Sequence, residues 1–247
     1  MIKDLEFFLK NLLFSDKFLL KRRLDRALKD NYEKELSIID KFTDKNKSAI
    51  DIGVYRGVYS YKLAKIFKHV YSYEPNPLLY PYLEKNLTKI IKNLSIKNYA
   101  LSNSSGIAEL KIPKRSKSFF KDNIEELYKL GCATIHKNNN FSDYEVLKVN
   151  KIKLDDDLFD VDIGFIKIDV EGHEKEIIEG AENLIKKFKP VLLVEIEERH
   201  TKKPVLDTID FIKDYGYLAY FCRKNELYNL DKLKNLNDEN NFIFIPN

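Results

Sequence analysis

Ala49-Ile50-Asp51-Ile52-Gly53-Val54-Tyr55-Arg56-Gly57-Val58-Tyr59-Ser60 reads as an apolar strand that ends in an acid and a glycine, turns sharply, and starts a helix near a second glycine. A strand that hands the chain to a helix through glycines gathers backbone N–H groups and a helix N-terminus around one spot. In a parallel sheet that spot lies at the carboxyl ends of the strands, where ligands bind. The two glycines stand as G-x-x-x-G. A pyrophosphate-binding loop needs G-x-G-x-x-G, because its second glycine lets the phosphate approach the backbone, and Val54-Tyr55 supplies none. NAD and FAD are therefore disfavoured. Asp51 at the strand end would repel a pyrophosphate and suits an ammonium group instead.

From Ser48 onward, strand-like and helix-like segments alternate, which argues an α/β fold with a mainly parallel sheet covered on both faces. Strands are expected over 49–52, 70–74, 94–101, 106–112, 146–154, 163–170, 191–196, 217–222 and 242–245. Helices are expected over 57–67, from the Pro75-Asn76-Pro77 turn to about 91 with Pro81 in the first turn, and over 174–188 and 205–215. Residues 1–44 read as an N-terminal helical extension: Leu5, Phe8, Leu9, Leu12 and Leu13 recur at helical spacing, as do Leu24, Ala27 and Leu28, with Ile38, Ile39 and Phe42 closing the stretch. Residues 45–247 then form the α/β domain. Within it, 113–145 is polar and irregular, an insertion of the kind that forms a substrate wall or lid.

The 247 residues suffice for one sizeable α/β domain with an addition. The net charge of +4 is spread over 43 basic and 39 acidic residues, without the basic stripe of a nucleic-acid binder, so no nucleic-acid partner is expected. The nearest approach, Lys111-Ile112-Pro113-Lys114-Arg115-Ser116-Lys117, reads as a solvated loop. Cys132 and Cys222 lie far apart without metal-ligand spacing, which speaks against a disulfide framework and for a reducing, cytoplasmic setting. Lys3, Asp4, Glu6 and Lys10 interrupt the apolar N-terminus, so neither a signal peptide nor a transmembrane segment is expected.

Two further stretches bear on the site. Glu74 closes the second strand about 20 residues after Gly53, the offset at which an acid accepts hydrogen bonds from ribose hydroxyls in nucleoside-binding α/β folds. In Phe165-Ile166-Lys167-Ile168-Asp169-Val170-Glu171-Gly172-His173-Glu174, strand alternation places Lys167, Asp169 and Glu171 on one face. A central strand normally buries apolar residues on both faces, so polar groups near its carboxyl end point to a site in the crevice. His173 follows at the mouth of the next helix. There the helix dipole would lower its pKa and leave the neutral imidazole a general base requires, unless it simply caps the helix. Glu195 belongs to the same rim, whereas Glu197, Glu198 and Arg199 read as solvated and His200 as either. Asp169, Glu171, His173 and Glu195 have metal-ligating side chains, but their spacing matches no dedicated metal motif, and no metal is expected.

Taken together, the chain resembles the FkbM family of S-adenosylmethionine-dependent methyltransferases over roughly residues 48–200. The resemblance rests on Ile50-Asp51-Ile52-Gly53 with Gly57, Tyr73-Glu74-Pro75-Asn76-Pro77, Asn98-Tyr99-Ala100-Leu101-Ser102, Lys153-Leu154-Asp155 and Ile166-Lys167-Ile168-Asp169-Val170-Glu171-Gly172-His173-Glu174. Gly180-Ala181 and Lys189-Pro190 before Glu195 complete it. It implies a class I methyltransferase fold, a Rossmann-like sheet of seven strands whose last runs antiparallel, and S-adenosylmethionine as cofactor. By analogy Asp51, Gly53 and Tyr55, on the loop that closes at Gly57, would line the methionine end. Glu74 with Pro75 beside it would hold the ribose, Ala100 and Leu101 would lie near the adenine, and Asp169 would sit beside the reacting methyl group. The family usually has Ala-Asn where this chain has Val54-Tyr55. The expected reaction is methyl transfer to a hydroxyl of a sugar or glycan, with His173 as first candidate base and Asp169 or Glu195 as the second. A lipid, peptide or small-molecule acceptor, or a non-catalytic module that keeps the fold, are the competing readings.

Overall fold

The computed structural model describes residues 15–113, 133–136, 144–230 and 239–247. β1 (Ser48–Ile52) is buried along its whole length, as a central parallel strand is. It pairs in parallel with β2 (Val70–Tyr73) on one side and β7 (Ile163–Ile168) on the other. β3 (Leu94–Lys97) extends the sheet beyond β2, and β8 (Val191–Glu195) beyond β7. The final strand, β11 (Asn241–Pro246), inserts antiparallel between β8 and β9 (Tyr217–Arg223). The order β3-β2-β1-β7-β8-β11-β9 accounts for the seven strands expected, but the sheet has eight. The eighth, β10 (Glu226–Asn229), forms a hairpin with β9 across Lys224-Asn225, both at positive φ, as in the two-residue turns that match strand twist. It is an edge strand with no fully buried residue, so no apolar run marked it.

Crossover helices cover both faces. α2 (Val58–Ile66), α3 (Tyr80–Ile90, with Pro81 in its first turn) and α1 (Asp16–Lys29) lie on one side. Leu20 and Leu24 of α1, then Leu36, Ile38 and Ile39 from two 3₁₀ turns (Lys34–Ser37 and Ile39–Phe42), share one apolar cluster with Val58, Leu63, Leu83 and Leu87. The periodic leucines before residue 15 lie outside the described residues. On the other face, α4 (Leu154–Leu158), α5 (Glu174–Glu179), α6 (Glu182–Phe188) and α8 (Val205–Lys213) cover a second cluster built on Ile50, Ile166, Ile168 and Val194. A short α7 (Glu198–Thr201) follows β8. Among the described residues no helix is long and apolar enough to cross a membrane.

Two expected elements divide. The strand expected over 94–101 breaks at Asn98-Tyr99, where Asn98 Nδ2 donates to the carbonyls of Glu74 (2.7 Å) and Pro75 (3.1 Å). That clamp steers β4 (Ala100–Leu101) out of the main sheet into a second one, β4-β6-β5, with β5 (Gly106–Pro113) and β6 (Tyr144–Ile152). The helix expected over 174–188 splits into α5 and α6 at Gly180-Ala181. A Cβ on Gly180 would stand 2.0 Å from the Ser102 carbonyl oxygen, so the helix yields to a close backbone approach. Most of the 113–145 insertion lies outside the described residues. Its described piece, 133–136, bridges Lys111 of β5 through Thr134.

Candidate active site

β1 and β7 end in register, Ile52 opposite Ile168, and the Asp169 N–H then donates to the Ile52 carbonyl. The two loops press together so closely that a Cβ on Gly53 would stand 1.9 Å from the Asp169 carbonyl oxygen, and Gly53 is in the left-handed region besides (φ 81°). Above this junction lies a cavity of about 240 Å³. Gly53, Tyr55, Glu74, Pro75, Ala100, Leu101, Asp169, His173 and Glu195 all line it, so most of the residues singled out in the sequence meet around one space.

Two of them do not. Asp51 is fully buried beneath the loop: Ser60 Oγ donates to one carboxylate oxygen, and Lys167 Nζ stands 3.7 Å from the other. The ammonium that Asp51 suits is thus the protein's own. Gly57, at φ 75°, caps α2, and a Cβ there would strike Leu87 at 2.7 Å, so it serves a turn and a packing contact away from the cavity. The Val54-Tyr55 pair resolves simply. Val54 turns into the core, while Tyr55 takes a left-handed φ of 48° and donates its N–H to Glu74 Oε2 at 3.2 Å.

Electrostatics sort the carboxyl groups. Lys167, also buried, donates to the Gly53 carbonyl (2.8 Å), stands 3.1 Å from Asp169 and lies 5.2 Å from the Tyr59 ring centre. Burial alone would lower its pKa, but Asp169 and Asp51 outweigh that and hold it above its ordinary value. Burial would likewise raise Asp169; Lys167 and a hydrogen bond with Glu195 hold it below the usual carboxylate range. Glu195 goes the other way. Burial, then the Asp169 charge, push it up to about 10, and Asn240 Nδ2 donates to its Oε1 (2.9 Å). Burial pushes Glu74 up to about 7, against the N–H groups of Asn76 and Tyr55.

His173 occupies the N-cap position of α5 without making a side-chain capping bond. Its pKa is lowered, chiefly by burial. Glu171 lies past the strand end at φ 58°, 2.7 Å from His200 Nε2. His200 is raised: burial opposes, and the Glu171 hydrogen bond prevails. A Cβ on Gly172 would meet His200 at 3.0 Å and His136 at 3.4 Å, so three of the chain's four histidines converge there.

The wall also contains residues the sequence did not single out. Tyr32 and Glu33 reach it from the segment after α1, held by a Tyr59 hydroxyl donating to Glu33 and by Arg56, whose guanidinium lies over the Tyr32 and Tyr55 rings. Thr134 and Ile135 close another side, with the Thr134 hydroxyl donating to the Glu171 carbonyl at 2.9 Å. Arg199, exposed as expected, stands at the edge of the cavity, while Glu197, expected to be solvated, is largely covered and accepts from Asn240 Nδ2 at 3.1 Å. These pieces are adjacent only through long-range packing, and no local spacing announced them.

A mainly parallel sheet of this order with an antiparallel last strand beside β8, and an acid ending the second strand at the cavity, defines the class I methyltransferase fold. Residues 51–219 match the Methyltransferase FkbM domain, and the chain belongs to that family. Its cofactor is S-adenosylmethionine. The FkbM methyltransferase of Methylobacillus flagellatus KT superposes with a TM-score of 0.51 at 16% identity over 81% of this chain, and the match spans 44% of that protein. The precorrin-6y C5,15-methyltransferase of Geobacter metallireducens GS-15 gives a TM-score of 0.43 at 14% identity, covering 86% of this chain and 85% of that one. A putative methyltransferase of Streptococcus mutans in complex with SAH gives 0.43 at 13%, covering 85% and 94%. No curated protein matches the chain.

Proposed function

We propose that the chain transfers the methyl group of S-adenosylmethionine to a hydroxyl of a sugar or glycan acceptor in the cytoplasm. The cavity suits this cofactor in three respects. Glu74 offers a carboxylate to ribose hydroxyls, Tyr99, Ala100 and Leu101 offer an apolar slot to adenine, and ionised Asp169 offers a counter-charge to the cationic methionine portion. When bound, the cofactor supplies an activated methyl group on a sulfonium. The protein's remaining task is to align the acceptor oxygen and take its proton. His173 is the base: it lines the cavity, and burial favours its neutral form. Glu195 already holds a proton, so it orients and donates rather than accepts, while Asp169 fixes the charge.

The observation that carries this reading is a largely covered histidine, its pKa lowered by burial, in the wall of a cavity ringed by Glu74 and Asp169. S-adenosylhomocysteine release across a panel of monosaccharides and oligosaccharides tests it. His173→Ala should lower the rate by about 10²–10⁴-fold while cofactor affinity stays within a factor of two or so. Wild-type turnover in that variant would remove His173 as the base. Release confined to lipid, peptide or phenolic acceptors would overturn the glycan assignment.

A further inference from the structure

Asp51 is occupied by Lys167, so the ammonium of the cofactor's methionine portion needs another carboxylate. S-adenosylmethionine carries two cationic groups, the sulfonium and the α-ammonium, and a charge taken out of water needs a partner. Five carboxyl side chains line the cavity, those of Glu33, Glu74, Asp169, Glu171 and Glu195. Four are committed. Glu74 accepts from the N–H groups of Tyr55 and Asn76 and faces the ribose, and Glu171 faces His200. Glu195 is pushed up to about 10 by burial and the Asp169 charge, and Asp169, beside Lys167, has the sulfonium to offset. Glu33 remains. It takes the N-cap position of the first 3₁₀ turn but makes no side-chain capping bond there. Its carboxylate turns instead to α2, where the buried Tyr59 hydroxyl donates to Oε2 at 2.5 Å. Among the described residues none forms an ion pair with it.

Tyr59 also fixes where along the cavity Glu33 stands. Lys167 Nζ lies 5.2 Å from the Tyr59 ring centre, and the same ammonium holds the Gly53 carbonyl and Asp169, the residues at the methionine end. Burial lowers the Lys167 pKa, and Asp169, Asp51 and then Glu33 raise it, as a carboxylate over the same floor would. We propose that Glu33, aimed by Tyr59, binds the α-ammonium of S-adenosylmethionine, so that the N-terminal extension completes a cofactor site whose other walls belong to the α/β domain. The proposal rests on the cavity being the cofactor site. Glu33 precedes residues 51–219, which match the family, so this carboxylate is supplied by the chain's own extension. One carboxylate then faces each cationic group, Glu33 the ammonium and Asp169 the sulfonium.

The test is isothermal titration of the full-length protein with S-adenosylhomocysteine and with its deamino analogue, in which hydrogen replaces the amine. Neither ligand carries the sulfonium, so the comparison isolates the ammonium. The wild type should prefer S-adenosylhomocysteine at least about tenfold, as a charge-assisted hydrogen bond would give. In Glu33→Gln that preference should shrink to within about threefold, while the deamino analogue binds both proteins alike. Tyr59→Phe, which removes only the hydroxyl that aims the carboxylate, should reduce the preference part of the way. A preference kept in full by Glu33→Gln, or an equal loss of both ligands in that variant, would overturn the assignment. An unchanged preference in Tyr59→Phe would overturn the aiming. No saturable binding of either ligand to the wild type would remove the cofactor site itself, and the proposal with it.

Discussion

Lys167 is the residue on which the floor of the site turns, and removing its charge should be costly in a specific way. Its ammonium is the cation that faces Asp51 Oδ1, an atom without a hydrogen bond of its own, and it also holds Asp169 and the Gly53 carbonyl. Lys167→Met keeps the stem and deletes the charge. Fully buried Asp51 and half-buried Asp169 then face each other with no cation between them. Breaking a buried pair by removing one partner costs about 3–5 kcal/mol, because the remaining charge stays desolvated. Asp51 escapes by taking a proton, since burial already raises its pKa. A carboxylate raised in the folded state favours folding at low pH and loses that contribution as pH rises through its folded value. The deficit should therefore be smaller near pH 5 than near pH 8. Lys167→Met/Asp51→Asn leaves no unpaired charge at Asp51 and should recover a large part of the loss. Urea unfolding followed by circular dichroism measures all three proteins. A single-variant loss below about 1 kcal/mol, or a double variant no more stable than the single, would refute the reasoning.

Gly53→Ala places a Cβ against the Asp169 carbonyl at a φ that alanine resists, so it should abolish measurable cofactor binding and lower the thermal midpoint; a variant that binds normally would show that the β1–β7 junction can open. Glu35, Glu74 and Glu174 are each raised to about 7 by burial, and Glu195 to about 10. Their stabilising contributions are full below the unfolded carboxylate pKa and are lost as pH climbs through these folded values. Lowered His69, His136 and His173 act in the opposite sense over this range but are outnumbered by these four glutamates together with raised Asp51 and His200. The thermal midpoint of the cofactor-free protein should thus fall between about pH 5 and 8, and fall less in Glu174→Gln; a midpoint that rises across that range would contradict the assignment.

Much of the site was legible because its elements are local. The strand–turn–helix around Gly53, the acid ending the second strand and the polar end of β7 are each written in a dozen residues or fewer, and parallel topology brings strand ends together. What the sequence could not carry was contact at a distance. Asp51 reads as a ligand for an ammonium group, and nothing local says that Lys167, more than a hundred residues later, satisfies it. The break at Gly180 depends on the Ser102 carbonyl, and the break at Asn98 on the carbonyls of Glu74 and Pro75. Tyr32 and Glu33 lie in a segment with no motif at all and reach the cavity because α1 packs against α2 and α3. β10 was missed for the simpler reason that an edge strand needs no apolar pattern.

The central claim is that Glu74 and its neighbours form the S-adenosylmethionine site. Isothermal titration of that cofactor into wild-type protein and Glu74→Ala, near pH 8 where Glu74 is ionised, tests it directly. One saturable site is expected in the wild type. The variant should bind roughly 10–150-fold more weakly, the equivalent of the 1.5–3 kcal/mol typical of a hydrogen bond to a charged group. No saturable binding to the wild type, or affinities within twofold of each other, would contradict the account.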